Sequence, residues 1–211
     1  MTGSRQPSTT AAPGQDPGHD PGHDAALTAQ LAARDAAALG VVIADHGAAL
    51  HRIAYRMVGD AHEAEDIVQE AMLRLWDHAP RLAERHPVGS QAARALRIGG
   101  WLCRVVTNLA IDRLRAGRRM AGDAIPDCAD DAPPADALIE AGERERTARA
   151  LIAALPERQR AAIVLTYYEE LTNAAAAQAL DMNIKAFESL LLRARAGLRK
   201  ALTDSGAGER L

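Results

Sequence analysis

Aromatic side chains make up only 3% of this 211-residue chain, within a hydrophobic content of 48%. A strand-rich core relies on aromatic and β-branched residues, whereas abundant alanine favours helices. Cysteine is equally scarce. Cys103 and Cys128 show no CxxC spacing, which argues against a disulfide framework or a cysteine zinc site. No apolar run approaches the roughly 18 residues of a membrane span. The N-terminus also lacks the hydrophobic stretch of a secretory signal, so a cytoplasmic location is expected. There is no Gly-rich phosphate loop, the histidines lie apart, and no Ser or Cys has the setting of a nucleophile. Neither an enzyme nor a cofactor is expected.

What is present is a charge pattern. The net charge is only −3, yet Arg94 to Arg119 holds seven Arg against one Asp, a balance of +6. Asp123 to Glu145 holds eight acids against one Arg, and Asn183 to Lys200 five bases against one Glu, giving −7 and +4. Local fields, not the total, decide where a polyanion docks. Two basic blocks flanking an acidic one make two candidate nucleic-acid surfaces.

The pattern along the chain is all-α, in two small helical domains joined by a flexible acidic linker. Residues 1–24, rich in Pro, Gly, Ser, Thr and Asp, read as a disordered tail. Asp-Pro-Gly-His occurs twice there, at Asp16 to His19 and Asp20 to His23, and reads as low complexity, not as a metal site. Residues 25–120 are helical throughout, with a break at Gly59-Asp60, a helix from Ala61 to Trp76, a loop at Val88-Gly89-Ser90 and a long helix from Ile98 to Leu114. The linker spans 121–136 and carries Pro126, Pro133 and Pro134. A second domain follows over 137–203, then a short tail, 204–211. Pro156 suits a first helical turn, a helix is expected over Glu157 to Tyr168, and Thr172 or Asn173 can cap the next one.

Four segments carry chemistry. In Asp66-Ile67-Val68-Gln69-Glu70, continuing to Trp76, Val68, Ala71, Met72 and Leu75 can pack inward, leaving Asp66, Gln69 and Glu70 as an acid-and-amide face. In the next helix Trp101, Leu102, Val105 and Leu109 form an apolar stripe. Arg104, Asn108, Ile111, Arg115 and Arg118 recur at steps of three and four and share another face. Arginine holds phosphates, asparagine can bond a base edge, and an aromatic ring can stack on an unpaired base. The third segment is Leu155-Pro156-Glu157-Arg158-Gln159-Arg160. The fourth is a helix-turn-helix whose last helix buries Ile184, Phe187, Leu191, Ala194 and Leu198 and presents Lys185, Glu188, Ser189, Arg193, Arg195 and Arg199.

These four segments, in this order and spacing over roughly Ala37 to Leu202, resemble the extracytoplasmic-function (ECF) group of the bacterial sigma-70 family. The resemblance implies a region 2-like domain followed by a region 4-like domain. Asp66, Gln69, Glu70 and Arg74 would dock on the clamp helices of the largest subunit of core RNA polymerase. Trp101, Arg104, Asn108, Arg113, Arg115, Arg118 and Arg119 would hold the melted −10 element, with Asn108 at a base-reading position. Lys185, Glu188, Ser189, Arg193 and Arg195 would enter the major groove at −35, while other surfaces of that domain meet the polymerase β-flap. An anti-sigma factor is the implied regulator.

The chain departs from the family pattern in places. Ala71-Met72 stands where an aromatic is usual, Asp181 where a turn usually has Gly, and Glu188 and Leu190 where many relatives carry Lys or Arg. Asp tolerates left-handed backbone better than most residues. Glu188 is expected to accept from a cytosine N4 amine. Two rivals compete. A helix-turn-helix repressor or activator would leave the Trp101 helix and the Asp66 face without a role. A decoy that only binds an anti-sigma factor would need neither basic face.

Overall fold

The structure is a computed structural model that describes residues 22–121 and 138–204. The expected N-terminal tail as far as residue 21, the linker from residue 122, Cys128 and the C-terminal tail beyond residue 204 lie outside the described residues. All described elements are helical: α1 (His23–Ala32), α2 (Ala36–Val58), α3 (Ala61–Arg85), a 3-10 turn (Ala92–Ala95), α4 (Ile98–Ala121), α5 (Leu138–Ala153), α6 (Glu157–Ile163), a π turn (Val164–Tyr168), α7 (Asn173–Ala179) and α8 (Ile184–Asp204). Helices α1–α4 pack as one bundle, α5–α8 as a second. The fold is the expected pair of small helical domains.

Local chemistry sets most boundaries. Asp35 caps α2 by accepting from Ala37 N at 2.9 Å, and Asp60 caps α3 by accepting from Glu63 N at 2.8 Å. Each carboxylate satisfies a backbone N–H that has no partner inside its helix. Between them Gly59 takes φ 84, the left-handed geometry that ends a helix cheaply only without a Cβ. In the second domain Thr172 caps α7 through Ala175 N, and Asn183 caps α8 through Ala186 N. Asp181 holds the intervening turn at φ 52, as its tolerance of that region predicts.

Several elements run differently from their sequence pattern. His23 and Asp24, read as the end of the tail, form the first turn of α1. The Asp24 carboxylate is buried and accepts from Ile98 N at 2.9 Å, capping α4 across 74 residues of chain. Helix α3 continues past Trp76 to Arg85 through Pro80; burial of Ala79 and Leu82 offsets the missing Pro80 N–H. Helix α4 likewise continues past Leu114 and Gly117 to Ala121. The helix expected over Glu157 to Tyr168 widens into the π turn, where Glu169 N donates to Val164 O, five residues back. Such a widened turn re-aims the side chains that follow it.

The core is aliphatic and rich in alanine. Phe187, the one phenylalanine, is fully buried at the centre of the second domain with Leu165, Leu180 and Leu191 also buried there. Buried residues of the two domains form one continuous cluster, because α4 packs against α6 and α7, and α2 against α6 and the π turn.

Candidate nucleic-acid interface

Helix α4 carries the seven residues expected at −10, and the structure divides them between two directions. Trp101 is half-buried against His78 of α3, their ring centroids 5.8 Å apart. Arg113 also faces α3, where its guanidinium lies 3.6 Å from the Glu70 carboxylate. Arg104, Arg115 and Arg118 line the other direction. Arg104 pairs with Asp181 of the second domain at 3.3 Å, and Arg118 with Glu157 at 2.9 Å. Arg115 reaches Asp112 one turn back, and Arg119 Nε donates to Arg115 O. Asn108 is half-buried between these contacts. Ile111, read from the sequence as part of this polar face, is instead buried. The second domain packs along α4, and its ion pairs with Arg104 and Arg118 flank Ile111 on either side.

The acid-and-amide face of α3 lies beside this surface. Val68, Ala71, Met72 and Leu75 turn inward as expected, Val68 incompletely, while Asp66 and Gln69 are exposed. Glu70 is half-buried and bonds Arg74 at 2.6 Å as well as Arg113. Glu70 thus joins a residue expected to meet the polymerase to one expected to meet DNA. Ala71 and Met72 are both buried.

On α8, Lys185, Glu188, Ser189, Arg193 and Arg195 are all exposed. Ser189 Oγ donates to Lys185 O at 3.0 Å, and Arg193 Nε donates to Ser189 O at 3.3 Å, so both stay close to the helix surface. Arg195 leans back over the Tyr167 ring at 5.4 Å. Phe187, Leu191 and Ala194 are buried and Leu198 partly so, as the period predicts. Ile184 is not: it is 45% exposed. Leu190 is buried. Leu192 is 68% exposed among the polar residues of this face.

Sequence reasoning passed over a third group. The Glu169 side chain, 7% exposed, receives Arg52 at 3.1 Å and Arg56 at 3.2 Å, both from α2. Arg56 also lies over the Tyr168 ring at 4.3 Å, and Arg149 over Tyr55 at 5.9 Å. The buried Arg160 donates to Ala153 O in its own domain and to Met57 O in the other. Met57 O is one of the last carbonyls of α2, which lack helical partners and sit at the negative end of its dipole. All three tyrosines of the chain, Tyr55, Tyr167 and Tyr168, lie against an arginine. Cys103 is buried close to this group. Burial pushes its thiol up to about 11; the Thr107 hydroxyl opposes the shift and the Glu169 carboxylate adds to it.

Comparison with known proteins matches both domains. Residues 42–120 match sigma-70 region 2, and residues 145–198 match sigma-70 region 4. The chain is 33% identical to the ECF RNA polymerase sigma factor SigL of Mycobacterium tuberculosis over 82% of its own length and 93% of the relative's. Among solved structures it resembles CnrH in complex with the cytosolic domain of CnrY, at 26% identity and a TM-score of 0.60, covering 88% of this chain and 99% of that one. It shares its fold with RpoE of Bartonella quintana, solved in complex with the anti-sigma factor NepR, at 20% identity and a TM-score of 0.50, covering 74% of this chain and 90% of that one. The chain belongs to the ECF group of the sigma-70 family of RNA polymerase sigma factors. It is a transcription initiation factor and not an enzyme. Among the described residues no helix is long and apolar enough to cross a membrane.

Proposed function

We propose that this sigma factor works in the cytoplasm and divides promoter recognition between α8 and α4. Lys185, Glu188, Ser189, Arg193 and Arg195 read the −35 major groove, where bases are distinguishable by their donor and acceptor patterns. Trp101, Asn108 and the arginines of α4 hold the melted −10 strand, the rings and amide meeting bases and the guanidinium groups meeting phosphates. Asp66, Gln69, Glu70 and Arg74 dock on the polymerase clamp helices, and the second domain also meets the β-flap. The core enzyme performs phosphoryl transfer; this chain supplies sequence choice and strand capture. An anti-sigma factor holds the free protein inactive, as the complexes formed by the two structural relatives suggest.

The observation that carries this reading is the coexistence of two basic helical surfaces, α4 and α8, on separate domains of one chain. A repressor needs one such surface and a decoy needs none. The test is run-off transcription with bacterial core polymerase on genomic fragments that include the protein's own upstream region. Discrete transcripts should require the protein and disappear with Asn108→Ala or with truncation before Leu155. Duplex binding without transcripts would instead make the protein a repressor.

A further inference from the structure

We propose that Leu192 reads a thymine methyl group in the −35 element, a specificity contact one helical turn from Glu188. The inference deepens the assignment of α8 to the −35 major groove and rests on it.

Leu192 is 68% exposed, more than any other large hydrophobic side chain among the described residues. It belongs to no apolar patch. Phe187, Leu190, Leu191 and Ala194 turn to the core. The apolar groove beside the C-terminal half of α8, lined by Ile152, Tyr167, Leu198 and Leu202, does not include it. Ile184, the other exposed aliphatic residue near the −35 face, lies about two turns and 12 Å away along the axis.

The company Leu192 keeps is polar. Lys185, Glu188, Ser189 and Leu192 follow one another at steps of three, one and three, and all four are exposed, so they form one stripe. A helix laid in the major groove reads bases from such a stripe. Arg193 and Arg195 leave the helix on either side of Leu192. Phosphate contacts from these rims would centre the leucine over the floor of the groove.

Leucine has no donor or acceptor, so it cannot read the polar edges of the bases. Its distinguishing partner in the major groove is the C5 methyl group, which only thymine carries among the four bases. Their contact takes both apolar groups out of water. Glu188 lies one turn back, about 6 Å along the axis, and base pairs rise about 3.4 Å apart. The thymine therefore stands one or two base pairs from the cytosine assigned to Glu188.

The test uses holoenzyme reconstituted from bacterial core polymerase and the full chain, on duplexes of a promoter mapped by run-off. Each duplex carries deoxyuridine, which lacks only the methyl group, in place of one thymine of the −35 element on either strand. Competition in abortive transcription reads the apparent affinity. With the native chain one thymine should be sensitive, its loss of the methyl weakening binding roughly fourfold, the equivalent of one buried methyl group. Leu192→Ala should weaken binding to thymine DNA by a similar factor and abolish the sensitivity, whereas Leu192→Met should retain it. Ile184→Ala should leave that thymine as sensitive as before. Because Leu192 is exposed, its variants should keep the native helix content by circular dichroism. Sensitivity at no thymine, or the same sensitivity with Leu192→Ala, would overturn the contact. Lys185→Ala combined with Arg193→Ala separates that result from a failure of the α8 assignment: weakened promoter binding retains the assignment, and unchanged binding removes it too.

Discussion

The guanidinium of Arg34 donates to the carbonyl of Trp76 at 3.1 Å, the carbonyl that Pro80, four residues later and without an N–H, leaves unpaired in α3. Arg34 also lies over the Trp76 ring at 5.3 Å and near Asp77 at 3.9 Å. Its own backbone sits at φ 64 between α1 and α2, an uncommon conformation for a residue with a Cβ. A residue outside the helix thus repairs a proline inside it. Arg34→Ala should cost about 1 kcal/mol in the native chain. The cost should fall towards zero with Pro80→Ala, whose restored N–H can take the Trp76 carbonyl. Urea unfolding of the four proteins of this cycle measures the coupling, and equal costs in both backgrounds would refute the repair.

Asp24 performs a second repair, capping α4 through Ile98 N where the preceding residue, Arg97, offers no cap. Asp24→Ala should destabilise the first domain by about 1–2 kcal/mol, the range of a lost cap. A fall in urea midpoint with an unchanged slope checks this.

The Cys103 thiol sets a pH dependence. Its value rises from 9.0 to about 11 on folding, so the folded protein holds the proton more tightly than the unfolded chain. The stability this adds is complete below pH 9 and is lost as pH rises to about 11, an amount on the order of 2–3 kcal/mol. Denaturation of the native chain and Cys103→Ala across that window should show the native chain losing the larger share.

Phe187 anchors the second domain. Phe187→Ala should cost about 3–5 kcal/mol, the range for truncating a fully buried aromatic. Loss of duplex binding at 37 °C, with helices α1–α4 still folded by circular dichroism and limited proteolysis, is the expected result.

Glu188 tests specificity. Glu188→Gln should relax the preference at one −35 base pair by about 1–3 kcal/mol, with Glu188→Ala relaxing it further. Transcription from a library randomised at −35 measures this. An unchanged preference at every position would exclude a carboxylate contact with cytosine.

Much of this protein was legible along the chain. Apolar periods located most helices, Gly59-Asp60 marked a break, Thr172 marked a start, and the inward faces of α3 and α8 followed from steps of three and four. Caps and periods act within one or two turns, so local sequence determined them, together with the basic character of α4 and α8. The tertiary structure alone decided that Asp24 caps α4, that Ile111 is buried, that α3 passes through Pro80, and that Glu169 meets Arg52 and Arg56. Each of these joins residues tens of positions apart, and its energy arises only when two separately formed surfaces exclude water from between them. No repeat or spacing in the sequence records such a meeting, so which basic residues stand free and which are held by the other domain is a property of the packed molecule.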